Sequence, residues 1–226
     1  MTVLLYIDEE PAQGNRVVRA AYRSGYFSKE EVDTVTPLPT VDEMIEYIVS
    51  VDCKVLISDY RLGEKMKGVK YNGLDLIREF LSRHEDFPCF LTTNWVGEAL
   101  NEHVDVNFIF PKSDLDPDAG SAVKTELPFF KRVKAKIEER ERIVDANERR
   151  YLELQTLHAK KGLGSVELQE LLDLDDFFES IMSKKESVPR ILKERAIEPM
   201  DKLLQGAELL ISQIEDELKK TQGSRK

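Results

Sequence analysis

Two apolar runs in this 226-residue chain, MTVLLYIDEEP and CKVLISDYRL, stop abruptly at carboxylates. The first delivers Asp8 and Glu9, the second Asp59. Strand ends meet solvent, and Asp is a common turn residue, so each carboxylate alone can be a solvated strand terminus. Convergence of Asp8, Glu9 and Asp59 on a cation is the competing reading. Further along, FLTTNW ends in Thr92 and Thr93, and FIFPKS ends in Lys112. All these polar residues fall where an apolar run closes.

The elements that must position them alternate in type. Residues 3–7 form an unbroken apolar run, as expected for a strand buried on both faces. Pro11 opens a helix with Val17, Val18, Ala21 and Tyr22 at helical spacing, and Gly25 stops it. A second strand is predicted over 32–36. Thr40 and Glu43 form a capping box ahead of a helix with Met44, Ile45, Ile48 and Val49 inward. A third strand over 54–58 ends at Asp59. Residues 73–83 read as a helix with Leu74, Ile77, Phe80 and Leu81 inward. A fourth strand follows at 88–92, a short helix at 95–102 and a fifth strand at 106–110. Such alternation with short links implies a parallel sheet covered by helices on both faces. In such sheets ligands sit beyond the carboxyl ends of the strands. Asp8, Glu9, Asp59, Thr92, Thr93 and Lys112 all lie at those ends.

The segments YIDEEP, LISDYRL, NGLDLI, FLTTNW and FIFPKS, in this order, resemble the successive motifs of response-regulator receiver domains. The resemblance covers about residues 1–127. It implies a flavodoxin-like α/β fold, a five-stranded parallel doubly wound sheet in order 2-1-3-4-5, and phosphoryl transfer to an aspartate from a histidine kinase, a phosphotransfer protein or a small phosphodonor. The residue types suit that chemistry. Unit charges ~4 Å apart repel by ~4 kcal/mol at an effective dielectric near 20, so three carboxylates ionise together only around a cation. Mg²⁺, a hard ion with oxygen ligands, fits. By resemblance, Asp59 is the phosphoacceptor. Asp8 and Glu9 are the metal-binding acidic pair, joined by Asp59 and the backbone carbonyl of Arg61. Lys112 would meet the phosphoryl oxygens as a point charge, and Thr93 would donate its hydroxyl to another. Thr92 then faces the core, although a one-residue slip exchanges the two threonines.

The chain also departs from the family pattern. The loop over 60–72 is several residues longer than usual, and its Gly and Lys content suggests a mobile lid. Asn94 stands where a small residue is usual. The switch aromatic's place is taken by Ile109, with Phe108 one earlier, and Ser113 replaces a proline. Trp95 is read as a packing or surface anchor, and His84 and His103 are assigned no chemistry.

Beyond residue 127 the pattern is helical, giving domains 1–127 and 128–226, the second an all-α output or oligomerisation domain entered by a long linking helix. That helix is expected from Phe130 to about Lys161, stopped by Gly162 and Gly164. Phe130, Val133, Ile137, Val144, Tyr151 and Leu154 follow the three- and four-residue steps of a coiled-coil seam, interrupted by Arg140 and Asn147. This implies a homodimer; the competing reading is one amphipathic helix packed on its own domain. Ser165 caps a second helix to Ser183 with Leu168, Leu171, Leu172, Phe178 and Ile181 apolar. Pro189 opens a third helical region, Pro199 breaks it, and 203–218 completes it. His158, in LHAKKGLGS, has some likeness to a phosphotransfer histidine, with an exposed helix-end histidine as the simpler reading.

Composition narrows the classes. The chain is 41% hydrophobic and 34% charged, so it can build a core. It carries a net charge of −10. Residues 1–127 hold 13 Lys/Arg against 23 Asp/Glu, while residues 128–226 hold 20 of each. Neither part has the basic balance of a duplex-DNA binder, and no helix-turn-helix pattern is evident. No apolar run approaches the ~20 residues of a membrane span, and the start lacks a basic leader; a cytoplasmic protein is expected. Cys53 and Cys89 sit in apolar runs, as small core residues. The expectation is a phosphorelay response regulator whose helical domain contacts a protein effector or itself, not an enzyme beyond its own phosphorylation chemistry. The alternatives are a relay or phosphate-sink component, or a transcription factor with an unrecognised output.

Overall fold

The apolar runs become the central strands of a single parallel sheet. In the computed structural model, which describes residues 2–97, 109–115 and 128–182, β1 is Leu4–Ile7, β2 Val32–Val35, β3 Val55–Asp59, β4 Cys89–Thr93 and β5 Ile109–Pro111. Their order is β2-β1-β3-β4-β5, all parallel, as the alternating pattern and the resemblance imply. β1, β3 and β4 are buried throughout, which is why they read as continuous apolar runs rather than alternating ones. The described part of β5 is Ile109–Pro111; the rest of the strand expected over 106–110, the part beyond residue 97 of the helix expected over 95–102, His103 and Phe108 lie outside the described residues.

Helices α1 (Pro11–Arg23), α2 (Val41–Val51) and α3 (Gly73–Arg83) connect the strands. Pro11 occupies the first turn of α1, where its missing N–H is harmless. Gly25 takes φ +77° just beyond the helix end. Thr40 and Glu43 close the expected capping box on α2, and Asn72 and Asp75 close another on α3. Two expected inward residues face out: Tyr22 and Val49 are 54% and 51% exposed. Each sits at the margin of its helix's apolar stripe. His84 is buried and stacks on Phe80 at 4.7 Å between ring centroids.

Two apolar layers flank the sheet. One joins Leu5, Ile7, Leu56, Cys89, Leu91 and Ile109 to α2 and α3. The other joins Leu4, Tyr6, Val55, Ile57, Phe90 and Phe110 to α1 and to helix α4, Phe129–Lys161. Phe129, Phe130, Val133 and Ile137 belong to this second layer, and Phe129 meets Phe90, Phe110 and Phe130 edge-on.

That packing corrects the domain boundary. The chain divides into compact units Met1–Ala146 and Asn147–Lys226, not at residue 127. The first part of α4 is a wall of the sheet domain, because Phe129 and Phe130 pack with Phe90 and Phe110 in the sheet layer that α1 also covers. The N-terminal half of the supposed intermolecular seam is therefore consumed inside its own domain. Arg140, an interruption in that seam, lies over the Phe87 ring at 5.1 Å.

In the second unit, residues 147–161 of α4 pair with α5, Ser165–Met182. Gly162 turns the chain at φ +76°. Arg150 grips Glu170 with two hydrogen bonds of 2.8 and 2.7 Å, and Tyr151 packs on Phe178. Leu154, Leu172 and Leu174 are buried. Ser183, Pro189, Pro199 and the helix expected over 203–218 lie outside the described residues.

Candidate functional site

Four large side chains of the layer under α1, namely Tyr6, Ile57, Phe90 and Phe110, each lie two residues before a polar one: Asp8, Asp59, Thr92 and Lys112. Because side chains alternate along a strand, this phase sends all four polar groups to the same side of the sheet at its carboxyl end. The ammonium of Lys112 bridges the carboxylates, 2.8 Å from Asp8 Oδ2 and 3.0 Å from Asp59 Oδ1. Asp8 and Asp59 are buried, so water cannot screen their repulsion, and Lys112 is the cation that meets it.

Asp59 feels that setting directly. Burial is the main cause that raises its pKa, from the ordinary 3.8 to about 6. Lys112 pulls it back down, and Asp8 pushes it up again. For Lys112, burial acts to lower the pKa, but the hydrogen bond to Asp8 and the charge of Asp59 outweigh it and raise the value.

Helix α3 begins against the end of β3. A Cβ at Gly73 would lie 1.9 Å from the Asp59 carbonyl oxygen and 2.6 Å from Ser58 Oγ, and the Gly73 N–H donates to the Tyr60 carbonyl at 2.8 Å. No side chain fits there. The glycine of the NGLDLI segment is thus a packing requirement of the site.

The expected role of Thr93 needs correction. Asp59 pairs in register with Thr92, whose hydroxyl donates to the Ser58 carbonyl at 3.3 Å and approaches the Tyr6 phenol. Thr93 has the opposite phase, and its hydroxyl accepts the Trp95 N–H at 2.9 Å. The one-residue slip has occurred, so Thr92 is the hydroxyl beside Asp59. Asn94 is exposed, and Ile109 is buried with Leu91 in the other layer.

The long 60–72 loop is not a loose lid. Leu62, Val69 and Tyr71 are buried in the core, and the Tyr71 hydroxyl donates to the Leu38 carbonyl at 2.8 Å. At its tip the Lys65 N–H donates to Glu9 Oε2 at 2.6 Å, and the Lys65 ammonium pairs with Glu10. Arg61 pairs with Glu64 and lies over the Trp95 ring at 4.5 Å. Glu10 thus helps to fasten the loop.

For the expected Mg²⁺, the donors suit a hard cation in kind: Asp8, Glu9 and Asp59 are carboxylates at neighbouring strand ends. Their arrangement here answers the repulsion with Lys112, and among the described residues no three His, Cys, Asp or Glu side chains converge as metal ligands. A cavity of about 650 Å³ opens beside Lys112, lined among others by Gln13, Arg16, Arg19, Asn94 and Ser113. Its charged lining is Arg16, Arg19, Arg23 and Lys112 with Glu10. No described helix is long and apolar enough to cross a membrane.

The sheet order and the strand-end carboxylates and lysine give the first unit the fold of response-regulator receivers, which it resembles. No family model matches the chain, and no curated protein matches it. Solved structures do. The anti-anti-sigma factor PhyR of Bartonella quintana is 16% identical with a TM-score of 0.45, over 64% of this chain and 51% of that one, so the chain spans about half the length of PhyR. The RcsB response regulator of Salmonella typhimurium is also 16% identical, with a TM-score of 0.36, over 76% of this chain and 91% of that one.

Proposed function

We propose that this chain is a phosphorylation-switched regulator in which Asp59 accepts a phosphoryl group from a histidine kinase, a phosphotransfer protein or a small acyl phosphate. The observation that carries the reading is the Lys112 ammonium held between buried Asp8 and Asp59 at the carboxyl ends of their strands. A carboxylate oxygen of Asp59 attacks phosphorus. The new O–P bond forms as the bond from phosphorus to the donor's nitrogen or oxygen breaks, and the leaving group keeps that electron pair. Negative charge then sits on the phosphoryl oxygens rather than on the carboxylate, and Lys112 follows it away from Asp8. The Thr92 hydroxyl is the neighbouring donor to a second phosphoryl oxygen. A magnesium ion held by Asp8, Glu9 and Asp59, with the Arg61 carbonyl, would neutralise charge on the transferring group.

The readout in this proposal is a change in how the helical second unit meets a protein effector or a second copy of the chain. A phosphoryl group shifts such an equilibrium only by its differential contacts, on the order of 1–3 kcal/mol.

The test is direct. With Mg²⁺ and a small acyl phosphate, the protein should gain one acid-stable, base-labile phosphoryl group, which Asp59→Asn and a chelator each abolish. Labelling that persists in Asp59→Asn would overturn the assignment.

A further inference from the structure

β1 carries a polar group that the phosphorylation chemistry does not use. The Tyr6 ring is fully buried in the layer beneath α1. Its phenol donates to Asp8 Oδ2 at 2.8 Å. The same oxygen accepts Lys112 Nζ at 2.8 Å, and Asp8 Oδ1 accepts the Glu10 N–H at 2.8 Å.

Asp8 therefore meets three protein donors. An ionised carboxylate offers about four acceptor positions, which leaves about one for a cation. The three donors differ in how readily they withdraw. Lys112 sits on a flexible stem and has Asp59 as a second partner. The Glu10 N–H belongs to the turn into α1. The Tyr6 phenol is carried by a ring with no exposed face, on a side chain with two torsions, so it stays when Lys112 leaves. Strand phase already demands an inward side chain at position 6, and Val, Ile or Leu would serve packing there as well. What the tyrosine adds is a donor aimed at Asp8.

We infer that Tyr6 is a positioning residue: its phenol occupies one acceptor position of Asp8, fixes that carboxylate's orientation and weakens its hold on a divalent cation, leaving the resting charge balance to Lys112. This rests on the phosphorylation reading above. It differs from a packing role because it fixes a direction: deleting the hydroxyl tightens cation binding.

Tyr6→Phe keeps the ring and removes only the donor. Isothermal titration calorimetry of Mg²⁺ into the full, unphosphorylated chain is expected to give about a tenfold lower Kd in Tyr6→Phe, which is about 1.4 kcal/mol and no more than one hydrogen bond to a charged group supplies. In an Asp8→Asn background the same substitution should change nothing. The wild-type protein gives an independent reading: Mg²⁺ should perturb the ultraviolet absorbance of a buried tyrosine, and that signal should be absent from Tyr6→Phe. A Kd equal within twofold, a weaker one, no binding heat in either protein, or a gain that survives Asp8→Asn overturns the role of Tyr6. Wild-type protein that cannot be labelled at Asp59 removes the underlying reading instead, so the two failures are distinguishable.

Discussion

Replacing Asp59 by Asn should stabilise the protein above pH 6 in metal-free buffer. Asp59 is only 6% exposed. Burial raises its folded-state pKa from 3.8 to about 6 even though Lys112 lies 3.0 Å away. Between those two values the folded state binds more protons at this group than the unfolded state, so stability falls as pH rises through the window and stays lower above it. At about 1.36 kcal/mol per pH unit, the gap comes to about 3 kcal/mol by pH 8. Asn keeps the shape and cannot ionise, so it escapes this penalty. It gives up the contact with Lys112, which retains Asp8 at 2.8 Å. The expected gain is about 1–3 kcal/mol at pH 8, shrinking toward zero by pH 4. Urea unfolding of both proteins at pH 4, 6 and 8 with a chelator present measures it. Asp59→Asn less stable at pH 8, or a gain that does not change with pH, would refute the account of Asp59 as a carboxylate strained by burial.

Lys112→Met removes the ammonium between two buried carboxylates and should destabilise by about 3 kcal/mol at pH 8; the loss should shrink near pH 4, where Asp59 is protonated, as urea midpoints would show. Gly73→Ala places a Cβ 1.9 Å from the Asp59 carbonyl oxygen. It should cost about 2–3 kcal/mol in thermal or urea unfolding, as overpacking against backbone does, and should slow labelling of Asp59. Thr92→Val should mute the hydrogen-exchange change that beryllofluoride with Mg²⁺ induces at the end of β4, whereas Thr93→Val should leave it; the opposite result would restore Thr93 to the site.

The sequence made legible those features whose physics is local. β1 and β3 announce themselves as apolar runs buried on both faces, and the capping boxes at Thr40 and Asn72 are spelled by residues three apart. The convergence of Asp8, Asp59 and Lys112 was readable because unlike polar groups closed successive strands. The Thr92/Thr93 choice was not, since two adjacent threonines fit either phase. A signal existed: Tyr6, Ile57 and Phe110 each precede a site residue by two, and Phe90 stands in that relation to Thr92. Tyr6 itself was absorbed into a strand as one more inward side chain, because nothing local says where a phenol points. In the 60–72 loop, the Gly and Lys content suggests mobility, whereas Leu62, Val69 and Tyr71 anchor the segment in the core. Phe130, Val133 and Ile137 satisfied coiled-coil spacing because a helix lying on a sheet uses the same three- and four-residue steps. The preceding Phe129 makes the stripe wider than a coiled-coil seam, and it marks the difference.

That stripe bears on how the chain can be cut and recombined. Phe129, Phe130, Val133 and Ile137 are all at least 96% buried against the first unit's own sheet layer. At roughly 1.5–3 kcal/mol for each large apolar side chain, they contribute about 6–12 kcal/mol, comparable to the whole net stability of a typical domain. A fragment ending at residue 127 should therefore be insoluble or unfolded, and one ending at 146 should melt cooperatively. A swap of modules joined at residue 127 would sever a core, whereas a join within the helix, past Ala146 and in register, would keep it. The exchangeable piece is the sheet together with the first half of its long helix.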